Sequence, residues 1–100
     1  MIFVKLVFSF KADRQAEVEA ILNREPIVRQ SILIRAATSA GSNREGNILL
    51  LEGTDEACRD ALEALKGIAE ELHGDEKEGI IKNIKEMEEK AMQGFGNIFS

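Results

Sequence analysis

The sequence predicts a small α+β protein whose elements follow in the order strand, helix, strand, strand, helix, with one further helix at the C-terminus. Three observations carry that expectation. Residues 2–11 alternate with a period of two; the apolar run Ile48-Leu49-Leu50-Leu51 is bounded by Gly46-Asn47 and Glu52-Gly53; and the segments after Thr54 and after Gly74 repeat apolar residues every three or four positions.

The first strand places Ile2, Val4, Leu6, Phe8 and Phe10 on one face and Phe3, Lys5, Val7, Ser9 and Lys11 on the other. The second face is mixed, and Phe3 and Val7 on it require partial cover. Asp13 is placed to cap a helix reaching about Arg24, with Val18, Ile21 and Leu22 turned inward. Pro26 ends that helix, because the residue before a proline is pushed out of helical geometry. Residues 27–38 read as the second strand, strongest over 31–36, where Ile32, Ile34 and Ala36 share a face. The small, polar, glycine-containing stretch 39–46 is a hairpin loop longer than a tight turn. Loops of that kind are mobile and often carry binding residues. It leads directly into the third strand.

Thr54 is a natural N-cap, and Asp55 and Glu56 put negative charge at the positive end of the following helix. Cys58, Leu62, Leu65, Ala69 and Leu72 then recur at spacings of four and three, so the helix is expected to run through Leu72 and to close at His73-Gly74. Asp75 and Glu78 have the spacing of a capping box for the last helix, whose apolar side is Ile80, Ile81, Ile84, Met87 and Ala91. The tail that follows carries Phe95, Ile98 and Phe99. It is expected to dock on the domain or on a partner as a short extra strand, the alternative being a disordered end.

With 100 residues the chain is one domain: a βαββα core over residues 1–74, and a helix and apolar tail over 75–100 that pack on the same or a partner subunit. The element order resembles a ferredoxin-like βαββα sandwich with a three-stranded antiparallel sheet in each subunit and an additional C-terminal helix. It is similar to that of metabolite-sensing ACT-like domains and of the small dimer-forming subunit of the archaeal KEOPS tRNA-modifying complex. In this layout the first strand lies beside the third, and lack of a fourth leaves its other edge open. Open edges invite pairing, so a homo-oligomer is expected, a dimer first of all. The candidate assembly surface is Phe3, Val7, Ile81, Ile84, Met87, Phe95, Ile98 and Phe99.

Hydrophobic content of 44% with 31% charged residues describes a globular chain rather than a disordered one. The N-terminal apolar stretch is interrupted by Lys5 and Ser9 and lacks a preceding basic region, which makes it a strand rather than a signal peptide. Cys58 is the sole cysteine, no intrachain disulfide can form, and the cytoplasm is the expected compartment. A net charge of -5 argues against nucleic acid as the main partner. The charge is uneven: seven Lys/Arg face five Asp/Glu in residues 1–47, and six face thirteen in residues 48–100.

Few residues suggest chemistry. His73 beside Asp75 and Glu76 could bind a divalent metal, but helix capping accounts for all three. Cys58, one turn into a helix, could be activated by the helix dipole, yet it sits in the apolar stripe, where cysteines are packing residues. Gly41, Ser42, Asn43 and Arg44 form a candidate ligand loop, offering backbone amides and a guanidinium to an anion without the Gly-Lys-Ser/Thr ending of a P-loop. Lys5, Lys11, Arg29, Arg35 and Arg44 could line an RNA-binding strand surface, but Phe8 and Phe10 fall on the apolar face and cannot stack bases. The Lys/Glu-rich last helix lacks the basic dominance of a membrane-surface helix. The leading expectation is therefore a non-enzymatic, self-associating module that binds a protein or an interfacial small ligand, with no cofactor or metal and no membrane. The alternatives are an accessory RNA-associated subunit of a larger complex and a small enzyme using His73 or Cys58.

Overall fold

A computed structural model of the protein describes residues 3–99, with side-chain surroundings for residues 3–90. It contains an antiparallel sheet and three helices. The strands are β1 (Phe3–Phe10), β2 (Ser31–Ala36), β3 (Asn47–Thr54) and β4 (Glu70–Leu72), and the helices are α1 (Gln15–Leu22), α2 (Asp55–Ala64) and α3 (Gly74–Phe99). The sheet has four strands in the order β2-β3-β1-β4, not the three expected.

The extra strand corrects the reading of residues 65–72 as helix. α2 stops at Ala64, Gly67 takes a φ of +81°, and the amides of Ile68 and Ala69 both donate to the Leu65 carbonyl at 3.0 Å. That left-handed glycine turns the chain back. Glu70, Glu71 and Leu72 then pair with Ser9, Phe8 and Val7. Spacing alone could not separate the two outcomes, because Leu72 fits both a helical stripe and an inward strand position. What decides is that the free backbone groups on the open side of β1 find partners there.

Register fixes the two faces. β1 pairs with β3 from Phe3↔Thr54 to Phe10↔Asn47, and β2 pairs with β3 from Ser31↔Glu52 to Ala36↔Asn47. On the first face, Leu6, Phe8, Phe10, Leu49 and Leu51 pack with Val18, Ile21 and Leu22 of α1 and with Cys58, Ala61 and Leu65 of the α2 segment. On the second face, Val7, Ile48, Leu50 and Leu72 pack with Ile80 and Ile84 of α3. The sheet is thus a middle layer, and at Val7 the mixed face of β1 is covered by the chain's own last helix, while Phe3 and Lys5 on that face stay exposed.

The helix starts and turns depart from expectation in detail. Residues 12–14 form a 3-10 turn ahead of α1, so Asp13 does not cap it, and residues 27–29 form a second 3-10 turn ahead of β2. Thr54 does cap α2, accepting from the Ala57 amide at 3.2 Å. The 39–46 loop is pinned. Ala37 and Ala40 are buried in the second core, Ala37 N donates to Gly46 O, and Asn83 Nδ2 of α3 donates to Ala40 O at 3.1 Å. Gly46, at φ +87°, lies so close to β1 that an added Cβ would sit 2.2 Å from the Phe10 carbonyl oxygen. The stretch expected as a tail strand over Phe95–Phe99 is instead the last part of α3.

Candidate functional site

Charge, burial and backbone geometry distribute the sequence-predicted residues into three groups. In the first, the chemistry is spent on structure. Cys58 is buried, its Sγ is 3.7 Å from the Val4 carbonyl oxygen, and burial, with Asp55 adding to it, pushes the thiol above its ordinary pKa. A nucleophilic cysteine needs the opposite shift. His73 is exposed, its Nε2 lies 3.6 Å from Glu71 Oε1, and among the described residues no cluster of three His, Cys, Asp or Glu side chains is arranged to hold a metal.

The second group is the candidate ligand loop. Arg44 reaches out of it and is held by two carboxylates: Nε to Glu76 Oε2 at 2.6 Å and Nη1 to Glu70 Oε2 at 2.9 Å. The hydrogen bond to Glu76 raises the guanidinium pKa, and the same contact holds the Glu76 carboxyl below its usual range. Ser42 Oγ accepts from the Arg44 amide at 3.1 Å, and Gly41 lies under Asn83, where an added Cβ would meet Nδ2 at 2.2 Å. The loop residues fasten β4 and the start of α3 to the hairpin. Beside them is an open groove of about 700 Å³ with Phe10, Ile68 and Ala69 in its wall and Lys11, Asp13, Arg14, Arg44, Glu45 and Glu70 at its rim. Its charges alternate in sign and are mutually satisfied at Arg44, so it does not concentrate one ligand charge. Of the cations expected on an RNA-binding strand surface, Arg29 pairs with Glu25 and Arg44 with Glu70 and Glu76, and of the phenylalanines Phe8 and Phe10 are buried.

The third group is the assembly surface, and its members part company. Val7 and Ile84 are buried against each other's elements inside the second core, and Ile81 packs at its margin. Phe3 is 65% exposed and Met87 40% exposed. Phe95, Ile98 and Phe99 lie on the α3 segment whose side chains are outside the described residues.

Sequence reasoning missed the feature that links the exposed members. α3 crosses the sheet from β4 toward β2. Asn83 and Ile84 contact the β2–β3 loop and the second core, and by Met87 and Glu88 the helix has reached Arg35 on β2, where a small recess of about 230 Å³ is lined by Arg35, Ile84, Met87 and Glu88. Beyond Ile84 its inward packing ends among the described side chains: every residue from 85 to 90 is exposed. β2 is the edge strand on that side, and among the described residues no strand pairs with its outer edge. The first half of β1 is similar, because β4 reaches only Val7, Phe8 and Ser9 and leaves Phe3–Leu6 unpaired on that side. The candidate functional site is thus the open edge of β2 together with the overhanging end of α3. The signal available in the sequence was length, since α3 continues to Phe99, well past Ile84, the last buried residue among its described side chains.

No family profile, curated protein or solved structure matches the chain. Among the described residues no helix is long and apolar enough to cross a membrane.

Proposed function

We propose that this chain is a self-associating binding module, a dimer in its simplest form, that acts through assembly surfaces. The observation that carries this reading is the edge of β2, unpaired among the described residues, with the exposed stretch 85–90 of α3 beside it at Arg35. An uncovered β edge exposes amides and carbonyls that a second strand satisfies. β2 has few of the devices that blunt an edge, since Ser31-Ile32-Leu33-Ile34-Arg35-Ala36 contains no proline and one charge. The strand order β2-β3-β1-β4, with both crossover helices on one face, supports a ferredoxin-like arrangement, to which α3 adds a third layer. A lone buried thiol suits the reducing cytoplasm as its place of work.

The test is the solution mass of the full chain across a dilution series, measured by light scattering with refractive-index detection because the chain has no Trp or Tyr. A mass near twice 11.1 kDa that falls on dilution supports the module. In the same series Met87→Glu, which leaves the second core intact, should move the monomer–dimer midpoint to higher concentration. A chain that stays at 11.1 kDa throughout removes the reading.

A further inference from the structure

We infer that the second copy adds at β2 through a two-fold axis centred on Leu33, which joins the two sheets and lays each overhanging α3 across the bare half of its partner's sheet. The inference rests on the self-association reading above and specifies its geometry.

The second sheet face is only half covered. Register sorts that face into rows running across the strands: Glu70, Ser9, Ile48 and Arg35; then Leu72, Val7, Leu50 and Leu33; then Lys5, Glu52 and Ser31; then Phe3 and Thr54. The first two rows lie under α3, through Ile80 and Ile84. The last two do not. Lys5 and Ser31 are exposed, Glu52 and Thr54 are half-buried, and Phe3 is 65% exposed. Each copy therefore carries an apolar ring on an uncovered half-face and, at the opposite corner, a helix that continues past Met87 and Glu88 beside Arg35.

Antiparallel pairing of β2 with a second β2 must keep like faces together, so the two-fold passes through a residue rather than between two. Centring it on Leu33 sets Leu33 against the partner's Leu33 and Ile32 against the partner's Ile34, and it sets Arg35 against the partner's Ser31. All three apolar positions then meet apolar positions, and the two arginines are kept apart. Centring on Ile34 instead places Arg35 opposite the partner's Leu33 and wastes that match.

The Leu33 register has a consequence for α3. It continues the row of Arg35 into the partner's row of Ser31, Glu52 and Lys5, which is the uncovered half. α3 reaches Arg35 at Met87 and Glu88, and the helix continues to Phe99, a run of about 16 Å at the usual rise per residue. At a strand spacing of about 4.8 Å that run spans about three strands of the partner. By symmetry the partner's α3 covers the other bare half-face, so one interface closes both open features of each copy.

Cysteine pairing tests the register in the full-length chain, with the native buried Cys58 retained and the unsubstituted protein as control. Opposed residues of an antiparallel pair have Cα atoms about 4.5–5.5 Å apart, within disulfide reach. Under a mild oxidant Leu33→Cys should cross-link to itself at least roughly tenfold faster than the control, because the paired strand supplies a high effective concentration. Ser31→Cys and Arg35→Cys, both at exposed positions, should each fail alone and should cross-link to one another when mixed. Solution mass separates the two failures. A dimer in which Ser31→Cys and Arg35→Cys do not link on mixing overturns the two-fold at Leu33 and leaves self-association standing, whereas a monomeric chain overturns both. Capture of an unrelated strand by a monomeric chain also overturns the proposal, since the occupant would then not be a second copy.

Discussion

Replacing Ile84 by Ala removes the three carbons beyond Cβ from a side chain that is 4% exposed and seated between α3 and the sheet. At about 0.8 kcal/mol per buried carbon the transfer loss is about 2.4 kcal/mol, and the residual cavity brings the expected destabilisation to about 2–4 kcal/mol. Met87→Ala, one turn further and 40% exposed, should cost below about 1 kcal/mol in the monomer. Urea unfolding followed by helical circular dichroism reads both, and with a slope of about 1–1.5 kcal/mol per molar the Ile84→Ala midpoint should fall by about 2 M. The comparison belongs at a concentration where the midpoints no longer depend on protein concentration. Equal, small shifts at the two positions would refute the packing of α3 on its own sheet. A large shift at Met87 in the monomer would place the helix further across the sheet than it lies here.

Two glycines with left-handed backbones should respond differently to alanine. Gly46→Ala places a Cβ against the Phe10 carbonyl and should cost at least about 2 kcal/mol, whereas Gly67→Ala, with open space around it, should cost about 1 kcal/mol; thermal melts compare them. Removing the α2 cap with Thr54→Ala should cost about 1 kcal/mol by the same measurement. The pH dependence of stability should report the Arg44 clamp. Glu76 has its folded-state pKa lowered by Arg44, so its contribution is complete above the ordinary carboxylate range and disappears as pH falls through the depressed value. The melting difference between the native chain and Glu76→Gln should therefore be widest at neutral pH and close in strong acid; a difference that persists there contradicts the contact. Cys58, buried and with its thiol pKa raised, should react with a thiol reagent about a hundredfold slower in the folded chain than after unfolding.

The local patterns of β1, β2, β3 and the start of α2 were legible because each is set by residues within it: alternation in Phe3–Phe10, the apolar run around Leu50, and the Thr54 cap. β4 was not. Glu70-Glu71-Leu72 has little strand propensity of its own, and it forms because β1 offers an unpaired edge some sixty residues earlier in the chain. Gly67 was the local hint that α2 ends early, and it was outweighed by an apolar spacing that Ile68, Ala69 and Leu72 satisfy in two ways. The mixed second face of β1 did announce that Val7 needed a cover, and Ile84 in the last helix supplies it. Where that helix runs off the sheet depends on the angle at which it crosses the strands. No spacing rule carries that angle, so the ledge at β2 became visible only with the strands in order. The anchors of the loop at Gly41–Arg44, which are Asn83, Glu70 and Glu76, were not legible because they are far away in sequence.

Amide hydrogen exchange of β2 at two protein concentrations, one on each side of the association midpoint, tests the account most directly. Among the described residues the outward-facing amides over Ser31–Ala36 have no strand partner, and they should exchange freely when dilute. If β2 is the assembly edge, their protection rises together with the solution mass, while β3, already paired on both sides, stays constant. Protection of β2 that does not change as the mass doubles would show that association takes place elsewhere on the molecule.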